Sequence, residues 1–412
     1  MQELKSKISF TKDVINSIYD NYAKSVFCDA ARLLMQKGML SHEEKRILSI
    51  ATGKAVNIYG FFRKSCLIYL SNGILWENTI QKIEDIKRQL MLELSLSILG
   101  HKLEKKVYYS NEDKNLFSLH LNQQVNLKFN SVAKDGKFYA FLDNNGKEAL
   151  RLEKNKECSI TKDIDFLEQD RNPFNVNDDH PDAPEFTPYD LKNIPKGEWV
   201  RQFRSAYSII KEKVPDIYDE IYNFLDAIVP HGYEKEKQLS SSYSKSPGIL
   251  YLSYTDKDLT QAEAVIHEVH HTIFNVIAWK YILTNNDRSL KYYSAYRPDA
   301  RHIHGCFIGL HAFVAVQNFY RKLAEGMNDD EIIKTFLSLY LKNAKVISVL
   351  EKYGDFTKEG NLLFKDIKNK YYSDEDFFED VTKKYADLYD ETSRKVEMHL
   401  EEAKKKNKIL LH

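Results

Sequence analysis

Two histidines and a glutamate form the cluster in this sequence that is best suited to chemistry. His267, Glu268 and His271 make an HExxH motif. Four residues apart on a helix, the two imidazoles project from one face and can bind one metal ion, with Glu268 close enough to reach a metal-bound water. Apolar residues throughout 265–277 are typical of a buried helix. The motif therefore predicts a metal site. The alternative is a core helix whose histidines satisfy buried partners.

A catalytic metal needs a third protein ligand, and the sequence leaves more than one candidate. The compact zinc-protease pattern requires Gly at position 274 and His at position 277, where this chain has Phe274 and Ile277, and no glutamate follows the motif before Glu325. His304 is the preferred candidate because the apolar helix that follows it would hold its imidazole rigidly. His302 competes with it, since residues two apart diverge and both rarely bind one metal.

Other residues near the motif have weaker claims as ligands. An aspartate ligand would have to be Asp287 or Asp299, which are the aspartates near enough in sequence. His311 lies on the same helical face as His304 but about 10 Å further along the axis, so we expect it behind the ligands or in the core. His270 points away from the face of the metal pair, and we expect it to be packed or solvent-facing.

Two arginines near the candidate ligands suggest an anionic partner. Arg297 and Arg301 stand on either side of Asp299 in the stretch that leads to His304. Guanidinium groups are costly to bury without an anion, and arginine binds a carboxylate through two parallel hydrogen bonds. The pair therefore predicts a small dicarboxylate beside the metal. Salt bridges to Asp299 or Asp287 are the alternative.

Helical and strand periodicities divide the chain into the segments that must position these residues. The predicted segments are a helical N-terminal region at 1–102, a small antiparallel β region at 103–157, an acidic, turn-rich linker or lid at 158–192, and a helical metal-binding catalytic domain at 193–405. Asp135-Gly136 and Asn145-Gly146 predict hairpin turns, and Ser41 with Glu44 predicts a capping box.

The elements around the motif predict the fold class. We expect helices from 197 to 228 that stop at Pro230, a strand pair near 240–253, a loop at 284–302 and an apolar helix at 304–324. The predicted fold is mainly α with a smaller antiparallel β portion (α+β), in which the HExxH helix packs on a second ligand-bearing helix. A double-stranded β-helix is excluded because the candidate ligands lie on helices.

The composition of the 412 residues narrows the possible partners and compartments. Lys and Arg total 60, as do Asp and Glu, so no global charge favours nucleic acid or membrane. The four cysteines contain no CxxC pair, which fits a reducing cytoplasm. The N-terminus lacks a signal-peptide pattern, and no run of about 18 apolar residues spans a bilayer. We expect a soluble cytoplasmic protein.

Residues 236–322 resemble a known family, the HExxH-type 2-oxoglutarate-dependent peptide β-hydroxylases of bacterial clusters that modify ribosomally made peptides. The resemblance rests on the lead-in strand at 248–253, the HExxH motif, the stretch at 293–301 with its aromatic-Arg-x-Asp-x-Arg pattern, and the helix opening His304-Gly305. One departure is His302, which stands where the family often has proline.

The resemblance implies a non-haem Fe(II) site held by His267, His271 and His304, with positions left open for 2-oxoglutarate and O₂. An all-histidine triad departs from the usual two-His-one-carboxylate set, so Glu268 or Asp299 remains open as the third ligand. The implied substrate is a peptide, expected to be a leader-bearing precursor, that is hydroxylated at a side-chain Cβ. Succinate and CO₂ are the implied coproducts.

The resemblance also assigns roles to the remaining candidates. Arg297 or Arg301 would hold the far carboxylate of the cosubstrate. Glu268, the candidate catalytic residue, would orient a histidine or a water. His302, Asp299 and His311 are expected around the ligands. A zinc metallopeptidase with Glu268 as general base is the alternative function, and a non-catalytic peptide-binding scaffold with an inert helix is a third.

Overall fold

A computed structural model describes residues 10–55, 58, 61–63, 65–111, 116–125, 127–167, 169–170, 190–233, 238–326 and 328–407. The fold is mainly helical with a smaller β portion and no closed barrel among the described strands, which confirms the predicted α+β class. The described residues fall into two compact units. The sheet unit comprises Ser17–Arg204 and Phe224–Asp256, and the HExxH unit comprises Met1–Asn16, Ser205–Asn223 and Lys257–His412.

The helical N-terminal periodicity is confirmed. The helices are α1 (Lys12–Gln36), α2 (His42–Gly53), α3 (Ser65–Trp76) and α4 (Ile80–Gly100), with a short 3₁₀ turn at Phe61–Arg63. The predicted capping box starts α2. The Ser41 hydroxyl accepts the N–H of Glu44 at 3.2 Å, and the Glu44 carboxylate accepts the N–H of Ser41 at 2.7 Å. Two N–H groups at the start of the helix are thereby satisfied.

The predicted antiparallel β region follows these helices. Its strands are β1 (Lys106–Asn111), β2 (Leu116–Ser118), β3 (Gln123–Val125), β4 (Phe129–Asp135), β5 (Phe138–Leu142) and β6 (Glu148–Glu153). One sheet has the order β1-β4-β5-β6, and β2 pairs with β3 separately. Gly136 (φ 59°) and Gly146 (φ 75°) take left-handed conformations at the two predicted hairpin turns, which a residue with a Cβ adopts only with strain.

A mixed sheet contains the one wrong prediction of secondary structure near the motif. Helices α5 (Lys196–Lys213) and α6 (Pro215–Phe224) lie between β7 (Asp165–Phe166) and β8 (Ala227–Tyr233) in sequence, and β9 (Ser240–Ser242) and β10 (Ile249–Tyr254) follow. The order is β7-β8-β10-β9, with β8 parallel to both neighbours and β9 antiparallel to β10. The strand pair near 240–253 is confirmed. The helix predicted to reach 228 ends at Phe224 instead.

Pro230 explains why β8 was missed. Proline has no N–H to donate to a ladder, so it argues against a strand interior. Here its carbonyl still accepts the N–H of Asp190 at 3.2 Å. The apolar residues Ala227, Ile228 and Val229 are all buried, as in a strand with parallel neighbours on both sides.

In addition to α6 and the second half of α5, the described part of the HExxH unit contains six helices that follow β10. They are α7 (Asp258–Lys280), α8 (Ile303–Gly326), α9 (Asp330–Tyr353), α10 (Lys358–Tyr372), α11 (Glu375–Lys384) and α12 (Ala386–Asn407). The HExxH helix α7 packs on α8, which begins next to His304, and α8 packs on α9. The predicted loop between α7 and α8 is also present. None of the described helices is long and apolar enough to cross a membrane. Residues 171–189 of the predicted linker or lid lie outside the described residues.

Candidate metal centre

The third and fourth turns of α7 bring three potential ligands together. The Nε2 atoms of His267 and His271 lie 2.9 Å apart. One potential ligand atom from each of His267, Glu268 and His271 lies within 4.8 Å of the others, and among the described residues no other group of three His, Cys, Asp or Glu side chains does so. Glu268 is buried. The motif therefore forms one compact donor set of two imidazoles and a carboxylate.

The spacing of the two imidazole nitrogens fits a shared metal ion. Two nitrogens bound at about 2.0–2.1 Å are roughly 2.9 Å apart when they subtend a right angle at the ion, and roughly 3.4 Å apart in a tetrahedron. The observed 2.9 Å separation satisfies the first geometry. The Nδ1 atom of His267 is buried and has no hydrogen-bond partner among the described residues. The ring is thus oriented by packing and by its neighbour rather than by an acceptor behind it.

Electrostatics keep His267 in the form that can bind a metal. Burial, together with the smaller electrostatic effects of His270 and Arg297, lowers the pKa of its imidazole to about 4. A neutral imidazole at neutral pH has a lone pair available for a metal ion. The contribution from Arg297 also shows that this guanidinium lies within electrostatic reach of the motif.

An aromatic pair packs against the motif. The ring of Phe313 on α8 lies 4.5 Å from the His267 ring, centroid to centroid, and the ring of Tyr296 stacks on Phe313 at 4.1 Å. A Cβ at Gly309 would lie 3.3 Å from the Tyr296 ring, so glycine at this position lets the tyrosine approach α8. Sequence reasoning missed Tyr296 and Phe313 as neighbours of the motif, because their placement depends on how α8 packs on α7.

The Tyr296 hydroxyl begins a chain of buried hydrogen bonds. It donates to Oδ1 of Asn343, whose Nδ2 donates to Oε1 of Gln317 at 2.9 Å. Nε2 of Gln317 in turn donates to Oδ2 of Asp374 at 2.7 Å, and Arg321 forms an ion pair with the other oxygen of Asp374 at 3.0 Å. Asn343 and Gln317 are fully buried. This polar chain ties the loop before α8 to α8, α9 and the start of α11.

His304 lies apart from the donor set. Its ring packs on Phe274 at 5.3 Å, whereas the ring of His267 packs on Phe313, nine residues further along α8. His304 is not among the residues whose potential ligand atoms lie within 4.8 Å of one another. Burial, together with the smaller electrostatic effects of Arg288 and His302, lowers the pKa of His304 to about 4. The structure therefore brings His267, Glu268 and His271 together and leaves His304 outside that group.

His302 serves the start of α8. Its Nδ1 accepts the N–H of Gly305 at 2.9 Å, which satisfies one of the free donors of the helix N-terminus. A Cβ at Gly305 would lie 3.3 Å from the His302 ring, so the glycine after His304 makes room for this cap. The His302 ring lies 6.1 Å from the His304 ring. His302 thus supports the helix that carries His304.

Arg297 and Arg301 both contact Asp299. Nε of Arg297 lies 3.2 Å from Oδ1 of Asp299, and Nε of Arg301 lies 2.8 Å from Oδ2. The salt bridge that the sequence offered as an alternative is therefore present for both arginines at once. Asp299 occupies the space between the two guanidinium groups, and it is not part of the donor set.

Behind the motif, His270 and His311 form a separate buried group. Nε2 of His270 lies 3.2 Å from the carboxylate of Glu220, and Nδ1 of His311 is 3.0 Å from the carbonyl of His270. Burial would raise the pKa of Glu220, but the contact with His270 outweighs it and lowers that pKa to about 2. His270 is packed, one of the two outcomes expected for it, and His311 packs against His270 and Phe274.

Glu263, one helical turn before His267, is a second buried carboxyl on the same helix. Its Oε2 accepts the Tyr320 hydroxyl at 2.7 Å. Burial raises the pKa of Glu263 and lowers the pKa of the nearby Lys342. The i, i+4 spacing from Glu263 to His267 was the sequence signal for this neighbour, although Tyr320 and Lys342 could not be paired with it from spacing alone.

No known family model matches this chain, and no curated protein matches it with significant similarity.

Proposed function

We propose that this protein is an Fe(II)- and 2-oxoglutarate-dependent oxygenase that hydroxylates a side-chain Cβ of a ribosomally made peptide. The observation that carries the proposal is the donor set of His267, Glu268 and His271, whose potential ligand atoms lie within 4.8 Å of one another. Two histidines and one carboxylate are the protein ligands of the facial-triad non-haem iron oxygenases, which leave positions open for cosubstrate and O₂. In this proposal Glu268 takes the ligand position for which the sequence favoured His304.

The arginines support 2-oxoglutarate as the cosubstrate. Arg297 is close enough to His267 to lower the pKa of that imidazole, and Arg301 shares the carboxylate of Asp299 with it. A second guanidinium on the same short loop gives a dicarboxylate a planar, charged partner for the carboxylate that lies away from the metal. A cosubstrate with only one carboxylate would leave this partner unused.

The chain has a distinct task at each part of this site. A bound iron would couple the oxidative decarboxylation of 2-oxoglutarate, with succinate and CO₂ as products, to oxygenation of the peptide. His267, held neutral by burial, and His271 supply the imidazole ligands. Glu268 supplies the carboxylate. Phe313 packs its ring against His267, and Tyr296 stacks on Phe313, so one side of the donor set is aromatic.

The peptide substrate and the compartment complete the proposal. A leader-bearing precursor peptide comes from the resemblance of residues 236–322 to peptide β-hydroxylases. A reducing cytoplasm agrees with the fact that Cys28, Cys158 and Cys306 are not joined in disulfides. The balanced charge of the chain gives no reason to propose nucleic acid as a partner.

A zinc metallopeptidase is the second candidate. The observation in its favour is the position of Glu268, which lies beside the two histidines where a general base would contact a metal-bound water. In that function Glu268 would act on the water instead of binding the metal. The arginines would then have no role in the chemistry.

Anaerobic titration of the metal-free protein with Fe(II) and 2-oxoglutarate separates the two candidates. The proposal expects a charge-transfer band at about 500 nm, which arises when 2-oxoglutarate chelates Fe(II) through open positions. The band should be lost in His271→Ala and weakened in Arg297→Ala. His42→Ala, which removes an exposed histidine at the start of α2, is the control and should leave the band unchanged. Tight stoichiometric zinc with no band would favour the peptidase.

A further inference from the structure

The carboxylate of Asp299 is shared evenly between two arginines. Oδ1 faces Nε of Arg297 at 3.2 Å and Oδ2 faces Nε of Arg301 at 2.8 Å. Each oxygen thus has its own guanidinium partner. This is the arrangement in which a free carboxylate is bound by a pair of arginines, and here a residue of the same loop fills it.

The backbone that carries the two arginines is fixed by contacts that do not involve Asp299. Tyr292 and Arg301 exchange two backbone hydrogen bonds, at 2.6 and 2.8 Å, which close the loop at its base. Within the loop, Tyr296 stacks on Phe313 and donates its hydroxyl hydrogen to Asn343. The backbone positions of Arg297 and Arg301 are therefore set by the loop and its anchor, independently of Asp299.

The side chains of Asp299 and its two partners are partly accessible to solvent, although Nε of Arg301 is itself buried. Its side chain is 49% exposed, that of Arg297 is 59% exposed and that of Arg301 is 29% exposed. Ion pairs with this exposure are weak because water and salt screen them and because long side chains lose freedom when they pair. A carboxylate that arrives from solution can therefore displace Asp299.

We propose that Asp299 is an internal competitor for the carboxylate site formed by Arg297 and Arg301, and that an incoming dicarboxylate binds by displacing it. That this dicarboxylate is 2-oxoglutarate rests on the function proposed above. The competitor keeps the arginines paired when the cosubstrate is absent. It also sets a threshold, since an anion must bind both guanidinium groups to replace a carboxylate that already does so.

The test uses metal-free protein and succinate, and it follows the Nε–H resonances of the arginines by NMR. Asp299→Asn keeps the size of the side chain and removes its charge. We expect the dissociation constant for succinate to fall by about two- to thirtyfold, the range that corresponds to loss of the two exposed ion pairs that Asp299 forms. Asp299→Ala should change it in the same direction and serves if the asparagine variant folds poorly.

Asp287→Asn is the matched control. Asp287 lies in the same loop and is exposed, and its carboxylate accepts hydrogen bonds from the backbone N–H of Ser289, at 2.8 Å, and from the Ser289 side chain. The control removes the same charge from the loop without touching the arginine pair. Succinate should bind this variant as it binds the unaltered protein. Equal tightening in Asp287→Asn and Asp299→Asn would mean a general effect of net charge and would overturn the proposal.

The outcomes separate this inference from the proposed function. Tighter succinate binding in Asp299→Asn alone supports the competitor, even if Fe(II) and 2-oxoglutarate give no charge-transfer band and the oxygenase proposal fails. Unchanged or weaker succinate binding in Asp299→Asn overturns the competitor, because Asp299 would then orient the arginines, even if the band forms. Arg301→Lys, which loses the planar guanidinium, should weaken succinate binding in either background if the site is real.

Discussion

At the scale of single residues, the identity of the third ligand decides how the HExxH motif is used. Glu268 lies with His267 and His271 inside one group of donors, whereas His304 packs on Phe274 at a different level of the helix pair. A site that uses Glu268 as third ligand is built from α7 alone. A site that uses His304 requires a fixed register between α7 and α8.

Metal affinity distinguishes the two residues. We expect His304→Ala to retain metal with less than about a threefold change in affinity, because the residue is outside the donor set. Glu268→Gln should lower the metal affinity by more than roughly 10–100-fold, which is the usual loss when a residue that only hydrogen-bonds a metal ligand is replaced. Competition with a chelator of known affinity measures both. Loss of metal in His304→Ala with retention in Glu268→Gln would assign the ligand to His304.

At the scale of elements, Glu93 links α4 to the hairpin of β2 and β3. Its carboxylate accepts the N–H of Leu119 at 2.7 Å, that of His120 at 2.9 Å and an amide hydrogen of Gln89 at 2.9 Å. Burial nevertheless raises the pKa of Glu93 to about 7, since the desolvation of a fully buried carboxylate outweighs these three bonds. The link is therefore sensitive to pH.

Glu93 should make the sheet unit more stable in mild acid. The pKa is raised above its usual 4.5, so the contribution of the protonated carboxyl is complete below about pH 4.5 and is lost as the pH rises through about 7. We expect the free energy of unfolding of the unaltered protein to fall over this window relative to that of Glu93→Gln. Urea unfolding followed at several pH values measures the difference. Glu43→Gln, an exposed glutamate of α2, should show no such difference.

Gly360 determines how the start of α10 packs on the chain after α7. A Cβ at this position would lie 1.8 Å from the carbonyl oxygen of Leu283. Thr357 caps the same helix through the N–H of Gly360 at 3.0 Å and also donates its hydroxyl to the carbonyl of Ile282. Both contacts require the first turn of α10 to approach the backbone of residues 282–283 closely.

Gly360→Ala should therefore destabilise the HExxH unit by about 1–3 kcal/mol, the usual cost of forcing extra atoms into a packed region. Gly326→Ala is the control, since nothing lies within 4 Å of a Cβ at the end of α8, and it should be neutral or slightly stabilising. Chemical denaturation of the two variants compares them. Equal stability of both would show that α10 can shift away from Leu283 without cost.

Elements of the fold that depend on local sequence signals could be predicted from the sequence. The capping box at Ser41, the hairpin glycines Gly136 and Gly146 and the apolar face of the HExxH helix are local signals, and each was confirmed. Strand β8 was missed because its partners are parallel and distant in the chain, and because Pro230 argues locally against a strand.

In the candidate site, too, features set by local spacing could be predicted from the sequence, whereas features set by tertiary packing could not. The convergence of His267 and His271 follows from helical spacing alone, and it is present. The level of His304 along the helix pair depends on how α8 slides past α7, and no short-range pattern encodes that register. The double contact of Asp299 depends on the path of the 292–301 loop, so spacing could suggest a salt bridge but not that both arginines share one carboxylate.

At the scale of the whole molecule, the donor set belongs to one of the two compact units. His267, Glu268 and His271 all lie in the HExxH unit, and so do the two arginines. A bound metal should therefore stabilise that unit directly, by about 2.7 kcal/mol when its free concentration is 100 times the dissociation constant.

Hydrogen exchange should locate this stabilisation. We expect addition of Fe(II) or Zn(II) to slow exchange in peptides from α7 and α8 and to leave peptides from β4 to β6 unchanged, as measured by mass spectrometry. His271→Ala should abolish the effect. Protection that appears in β4 to β6 instead would place the metal in the sheet unit and contradict the assignment of the site.

The buried chain from Tyr296 to Asp374 has a direction. Asn343 accepts at its oxygen and donates at its nitrogen, and Gln317 does the same, so neither amide can turn over without breaking a bond at each end. If Asp374 were protonated, or if Tyr296 or Asp374 were replaced, the side-chain amides of Asn343 and Gln317 would lose a partner in the protein interior. We therefore expect these four residues, Tyr296, Asn343, Gln317 and Asp374, to vary together. Proteins that share this fold should keep all four or replace all four, and replacement of only some of them should be rare.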